Sequence, residues 1–327
     1  MIRYLQSSKG KIKRGDNLTY RKPAKDQLLW IFCTAPTDKE INKLATDFSL
    51  QKDQFKKYTI ENHSVRYSLD PFAFVFFDYY LEGDKVRSAR ILNIIKDNVI
   101  IQVSNISSKY YEEMFKNISE QIELNKIKSL TSVKILQIFL AEDIEENYDV
   151  IQKNEQDIIA LEEQVVHYES ARQTNVQNII KLKRRLFKMS RRFWASTKVI
   201  FLIKSGFTNL RIDEQTGKHL LDIHDTFLHQ IDIVTAQKEM ATDILSIYST
   251  SLNNKLAMTS NDLSQITKKV SAVGLLLLFP TLITSIYGMN FPHMPLLENP
   301  MGFYIILLLI VATTITLFAA LKARNWL

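Results

Sequence analysis

The sequence is poor in the residues that usually announce a site. Among its 327 residues is a single cysteine, Cys33, which excludes an intrachain disulfide and fits a reducing compartment. No GxGxxG, GKS/T or HExxH motif occurs and no Cys/His cluster is present, so dinucleotide, phosphate-loop and zinc-protease chemistries have no signature here. No nucleophile–base pair stands out either, and an enzyme is not expected. The opening stretch MIRYLQSSKGKIKRGDNL lacks the apolar core of a secretory signal, so no targeting leader is expected. Charge is missing in two places: Asp, Glu, Lys and Arg are absent from Val270 to Leu297 and again from Asn299 to Leu321. Over the whole chain, charged residues make up 24% and apolar residues 46%, both ordinary for a globular protein. The two silent stretches are therefore a segregation of charge rather than a shortage of it.

The net charge of +7 raises the question of nucleic acid. Its basic residues are interspersed with acids and form no recognisable nucleic-acid module, so nucleic acid is not an expected partner. A solvated surface with a basic zone beside a lipid bilayer accounts for the excess.

About 20 apolar residues are needed to cross a bilayer as a helix. Met301 to Leu321, MGFYIILLLIVATTITLFAAL, meets that requirement. Val270 to Tyr287, VSAVGLLLLFPTLITSIY, is shorter and holds Gly274, Pro280 and several hydroxyls, which suit a helix that lines water better than one bathed in lipid. Lys268 and Lys269 precede the first run, Lys322 and Arg324 follow the second, and the loop between them has neither Lys nor Arg. The positive-inside rule then places both termini in the cytoplasm and the loop outside a plasma (inner) membrane.

Before these spans the first half reads as strands and helices. LLWIFCTA (28–35), VRYSL (65–69), FAFVFFDYYL (72–81), VRSARILNII (86–95) and VIIQVS (99–104) are rich in β-branched and aromatic residues and end at polar turns. Thr37 or Asp38 caps a helix carrying Ile41, Leu44, Ala45 and Phe48 on one face. Helical pattern takes over from about Ser107. It predicts one long charged helix over 149–207 and a second continuous helix from about Gly217 into the first span, a rod of roughly 100 Å. The basic cluster KLKRRLFKMSRR (181–192) has two readings, a solvated helix face or a surface for phosphates and headgroups.

The expected fold is thus an α+β cytoplasmic domain (a mixed sheet with helices), then a long stalk helix, then two C-terminal transmembrane helices. In residue terms, 1–148 is the cytoplasmic domain and 149–269 the helical region with the stalk. Residues 270–290 are the first membrane helix, 291–300 the outer loop, 301–321 the second membrane helix and 322–327 a cytoplasmic tail.

One feature of the stalk and first span points to chemistry. Ser264, Thr267, Ser271, Gly274, Leu278, Thr281, Ser285 and Gly288 follow one another at steps of three and four, so they share one side of a helix. All but Leu278 are small or hydroxylic. In a ring of parallel copies this side lines a narrow aqueous path with one hydrophobic constriction at Leu278. The competing reading is close helix packing through small residues, with hydroxyls bonded back to their own helix. The stripe runs into Gly288, Met289 and Asn290. A ring of amide oxygens is neutral and accepts hydrogen bonds from the waters that Mg²⁺ holds tightly, without stripping them. A ring of carboxylates would bind more tightly and release more slowly, which conduction does not tolerate.

The sequence Tyr287-Gly288-Met289-Asn290-Phe291, with Pro280-Thr281 upstream, two C-terminal spans, a short loop and the tail Lys322-Ala323-Arg324-Asn325-Trp326-Leu327, resembles the CorA family of magnesium transport proteins. The motif match covers roughly the last 70 residues, and the preceding architecture agrees in outline. The resemblance implies a homopentamer with a pore lined by the first span. It implies an ion site at Gly288, Met289 and Asn290, and closure when intracellular Mg²⁺ binds acidic sites between cytoplasmic domains, with Asp222 as a candidate regulatory ligand. The transported and regulatory ion is then Mg²⁺. Zn²⁺ or Co²⁺ are alternatives, since the ZntB zinc proteins share the Gly-Met-Asn ending and His293 lies beside the mouth. The chain departs from the family at Met294-Pro295-Leu296-Leu297, where the usual loop acid is missing. A membrane-anchored scaffold that conducts nothing is the alternative from outside transport.

Overall fold

The computed structural model describes residues 1–8, 11–24, 27–55, 67–69, 71–124, 130–166, 173–291 and 294–326. The chain divides into two compact units, Met1–Ile247 and Tyr248–Leu327.

The first unit is built on a seven-stranded mixed sheet. Its strands are β1 (Ile2–Ser8), β2 (Lys11–Asp16), β3 (Gln27–Thr34), β4 (Tyr67–Leu69), β5 (Phe72–Glu82), β6 (Lys85–Lys96) and β7 (Val99–Ser104), in the spatial order β2-β1-β3-β7-β6-β5-β4. Only β3 and β7 pair in parallel, with Ile31 opposite Ile101; every other pairing is antiparallel. Five of these strands coincide with the apolar runs read from the sequence, although residues 65–66 of VRYSL lie outside the described residues. The hairpin β1–β2 was not expected. Its outer strand KIKRGD is almost wholly polar because it lies at the sheet edge and faces solvent, so it carries no apolar run to detect.

Alternation along the strands sends side chains to two faces, and both are covered. One face carries Ile2, Tyr4, Leu29, Ile31, Cys33, Val75, Phe77, Leu92, Ile94, Ile101 and Val103. It packs against Leu44 and Ala45 of α1 (Asp38–Asp47) and Phe55 of α2 (Lys52–Phe55). Thr37 is the cap of α1, in a reciprocal capping box with Glu40. The other face meets α3 (Lys109–Leu124) and α4 (Ser132–Val166) through aromatic contacts of Trp30 with Phe115 and of Phe32 with Tyr111 and Phe139. Polar groups on this face pair with one another. The Trp30 indole N–H donates to Gln102 at 2.7 Å, and Gln102 donates to Asn93 at 2.6 Å.

The long charged helix expected over 149–207 is in fact the end of α4 and the whole of α5 (Gln173–Lys204). The two run antiparallel, with Asn154 beside Met189 and Asp157 paired to Arg185. Apolar residues recur at helical spacing in both helices, so periodicity alone does not mark the reversal. The second long helix is continuous as expected: α6 spans Glu214–Tyr287, with residues up to Ile247 in the first unit. Phe227 of α6 packs on Phe76 of the sheet and Phe193 of α5. Gln230 and Gln237, one heptad apart, donate side-chain N–H groups to the backbone carbonyls of Ile144 and Ile151, each at 2.9 Å.

A buried acid pair joins sheet to helix. Asp78 of β5 accepts from the Tyr111 hydroxyl at 2.7 Å, and Asp143 of α4 accepts from the Asn147 amide at 2.9 Å. Both carboxyls are fully buried and act on each other electrostatically, and one oxygen of each is without a hydrogen-bond partner. Two negative charges in so dry a site are costly, which favours a proton on one of them. Burial is the largest cause and raises both, Asp143 well above the ordinary carboxylate range; the Asp78 charge pushes Asp143 up further. A carboxyl whose folded-state affinity for protons is raised stabilises the fold below its unfolded pKa, and that contribution is lost as pH rises toward the folded pKa. The protein in detergent is therefore expected to lose thermal stability as pH rises above about 4, where the unfolded carboxyls ionise and the buried pair still holds a proton. Asp143→Asn, which keeps a donor toward Asp78 without a titrating proton, is expected to flatten this slope. An equal slope in Asp143→Asn and the native chain would exclude the pair as its source.

Candidate functional site

The stripe singled out from sequence spacing lies on the part of α6 that belongs to the second unit. Ser264, Thr267, Ser271, Gly274, Leu278, Thr281 and Ser285 are all helical and all exposed in the single chain. They share a side because steps of three and four follow the helical repeat. The helix is nearly bare all round. Among the described residues of the second unit, only Ala272, Gly302 and Leu321 are buried. Leucines on the remaining faces, including Leu275, Leu277 and Leu282, are exposed as well. Two helices, α6 and α7 (Gly302–Ala323), are long and apolar enough to cross a membrane.

Two of the stripe's hydroxyls bond inward. Thr267 donates to the Leu263 carbonyl at 2.8 Å and Thr281 to the Leu277 carbonyl at 2.7 Å, each one turn back on its own helix. Such a hydroxyl has used its proton inward and offers only oxygen lone pairs outward. Both alternatives for the stripe accommodate that geometry, a wet lining rich in acceptors or a packed one. Pro280 lies inside α6 without ending it. Having no N–H, it cannot return a hydrogen bond to the preceding turn, and hydroxyls cluster there. Thr284 donates to the carbonyls of Pro280 and Thr281, both at 3.0 Å. Gly274 has open space where a Cβ would stand.

Gly288, Met289 and Asn290 follow immediately after α6. The helix closes through Gly288 N–H to the Thr284 carbonyl at 2.9 Å and Met289 N–H to the Ile286 carbonyl at 3.2 Å. A Cβ on Gly288 would stand 3.3 Å from the Thr284 carbonyl oxygen, a tight contact. Asn290 is exposed beyond the helix end, in line with the stripe's termination. Asp222 lies far earlier, on the exposed side of α6 in the first unit, with His219 Nδ1 3.9 Å away. It is not brought near the Gly288–Asn290 segment by sequence, and among the described residues no three His, Cys, Asp or Glu side chains gather to hold a metal within one chain. His293 lies outside the described residues.

Between the two spans the chain reverses through features that no motif signalled. Asn299 N–H donates to the Leu296 carbonyl, the Asn299 side chain accepts from Met301 N–H at 3.0 Å, and Gly302 N–H donates to the Asn299 carbonyl at 2.8 Å. Leu296 adopts a left-handed backbone, φ 67°. A Cβ on Gly302 would overlap the Leu296 carbonyl oxygen. The signal in the sequence is the Asn-Pro-Met-Gly run, which is turn chemistry.

Comparison with known proteins gives four findings. The chain matches the family described as "CorA-like Mg2+ transporter protein" over residues 25–322. It is 23% identical over 304 residues to the cobalt/magnesium transport protein CorA of Methanocaldococcus jannaschii, covering 92% of each chain. Its fold is similar to the complete structure of the CorA magnesium transporter from that organism, with a TM-score of 0.71 at 20% identity over 100% of this chain and 99% of the other. It is also similar to the ZntB cytoplasmic domain from Vibrio parahaemolyticus, with a TM-score of 0.56 at 11% identity over 77% of this chain and 98% of the other. At such identities these likenesses are ones of fold alone.

The reversal makes a direct test of the local geometry. Gly302→Ala is expected to destabilise the second unit by about 1–3 kcal/mol, the usual cost of forcing an atom into filled space. Thermal unfolding of the protein in detergent checks this; an unchanged midpoint would mean the turn is not held as described.

Proposed function

The chain belongs to the CorA-like Mg2+ transporter family, a family of divalent cation transporters, and from that premise we propose that it forms a homo-oligomeric Mg²⁺ channel of the plasma (inner) membrane. Residues 270–290 and 301–321 span the bilayer, both termini are cytoplasmic, and residues 291–300 form the outer loop. Parallel copies of α6 turn Ser264, Thr267, Ser271, Gly274, Thr281 and Ser285 toward a common wet axis, and Leu278 narrows it. The oligomer is a homopentamer, on family resemblance.

The observation that carries this reading is the junction of stripe and motif. The polar side of α6, broken only by Leu278, leads to Gly288 and ends at the exposed amide of Asn290. Copies of Asn290 around the axis cup the cation through its hydration waters, accepting hydrogen bonds rather than replacing ligands. The threonines contribute in the same sense, because their inward donation leaves acceptors facing the path. Rising internal Mg²⁺ closes the channel by occupying acidic positions between first units, Asp222 among them.

Mg²⁺ uptake into liposomes tests the site. Each copy of Asn290→Ala loses a hydrogen bond worth ~1 kcal/mol. Summed over a ring, uptake is expected to fall by more than about tenfold. Unchanged uptake would remove Asn290 from the ion path. Zn²⁺ uptake exceeding Mg²⁺ uptake in the same liposomes would reassign the cargo, and no flux of any divalent ion would leave the membrane-anchored scaffold.

A further inference from the structure

The helix α5 has an outer side that the first unit leaves uncovered. Ile180, Phe187, Trp194 and Phe201 stand seven residues apart, and all are exposed. Phe187, Trp194 and Phe201 leave 58%, 57% and 55% of their surface in solvent, far more than isolated surface aromatics require. Between them, again seven apart, come Arg184, Arg191 and Lys198, also exposed. Steps of four and three thus alternate apolar and cationic side chains along one seam, 180-184-187-191-194-198-201. At 1.5 Å per residue the seam is about 31 Å long. The other arginines of this cluster face inward, Arg185 to Asp157 and Arg192 to the Tyr79 hydroxyl.

A matching surface exists on the same chain, on a different helix. Asp225, Asp232 and Glu239 of α6 are exposed and seven apart, with Asp222 and Asp243 extending the row at either end. From Asp222 to Asp243 is again 21 residues, the length of the α5 seam. Ile233, Met240 and Ile247 run beside the acids, and the last two are exposed. The sense of the helices also fits. Within one copy α5 runs against α4, while α6 runs with α4, as the ascending pairs Gln230–Ile144 and Gln237–Ile151 require. In copies related by rotation about an axis along α6, an α5 therefore meets a neighbour's α6 antiparallel, so that Arg184, Arg191 and Lys198 face Glu239, Asp232 and Asp225.

We infer that the heptad seam of α5 is a docking surface for the acidic side of α6 in a second copy of this chain. The aromatic residues supply the buried area, and the charges select the partner and its register. Because the two surfaces lie on different helices, the contact is head-to-tail, and such contacts do not stop at a dimer but close into a ring when the rotation between copies closes. This inference rests on the oligomeric reading above and adds to it which surfaces meet outside the membrane.

The test uses the full chain in detergent. Trp194→Cys with Ile233→Cys, Phe187→Cys with Met240→Cys, or Ile180→Cys with Ile247→Cys, the pairs that this antiparallel register brings within about one helical turn, is expected to give crosslinked dimers and a ladder above them under a short bifunctional thiol reagent. Cys33 is buried and does not compete. Arg184→Glu with Arg191→Glu should lower that crosslinking about tenfold. Adding Asp232→Arg with Glu239→Arg should restore it, which also controls for misfolding. A native chain that is oligomeric by native mass but neither crosslinks nor responds to the charge swap overturns this interface while leaving the channel reading standing. A monomeric native chain overturns both. Loss of binding to phosphatidylserine vesicles in Arg184→Glu/Arg191→Glu, with crosslinking unchanged, gives the seam to the membrane surface and likewise overturns the inference.

Discussion

In hydrocarbon, a polar group without a partner costs several kcal/mol, and α6 carries such groups along one whole side of its apolar stretch. Thr267, Thr281 and Thr284 meet part of the cost by donating to carbonyls of their own helix. The backbone around Pro280 and the amide of Asn290 are left needing water or a neighbour. The opposite sides of α6, lined by Leu275, Leu277 and Leu282, need lipid or a neighbour instead. A single copy cannot satisfy both demands, since almost nothing in the second unit is buried. The proposed assembly around a wet axis would meet both at once, and the proposed transport reading rests on that constraint.

The first unit supplies the rigid end of the same helix. Phe227 is held among Phe76 and Phe193, and Gln230 and Gln237 bond to carbonyls one heptad apart on α4. Apolar packing alone tolerates sliding of one helix along another, whereas two directional bonds at a heptad spacing define one register. The helix α4 is itself tied to the sheet, where Glu146 accepts from the Leu81 N–H of β5 at 3.4 Å and Phe139 packs edge-on against Phe76. An unbroken series of contacts thus leads from β5 through α4 to α6.

Much of this was legible in the sequence, for physical reasons. The strands β3, β5, β6 and β7 are buried, so their residues form apolar runs that stand out. The cap of α1, read as Thr37 or Asp38, is a local signal that needs no tertiary context, and the structure settles it on Thr37. The strand β2 was illegible because an edge strand is held by backbone bonds and does not need apolar side chains. The break between α4 and α5 was illegible because two charged helices in succession have the same period as one. The polar stripe was legible as spacing, but the inward donation of Thr267 and Thr281 was not, because a hydroxyl's partner depends on rotamer.

The sequence by itself determined the two uncharged apolar stretches, the polar side of the long helix and its Gly-Met-Asn ending, because composition and helical spacing are properties of local chain. Only the tertiary structure decided that Asp78 and Asp143 share a buried site, that α5 folds back along α4, and that the aromatic and cationic seam of α5 faces outward. Each of these depends on which surfaces meet across tens or hundreds of residues, and burial, unlike periodicity, is not set until the partners are in place.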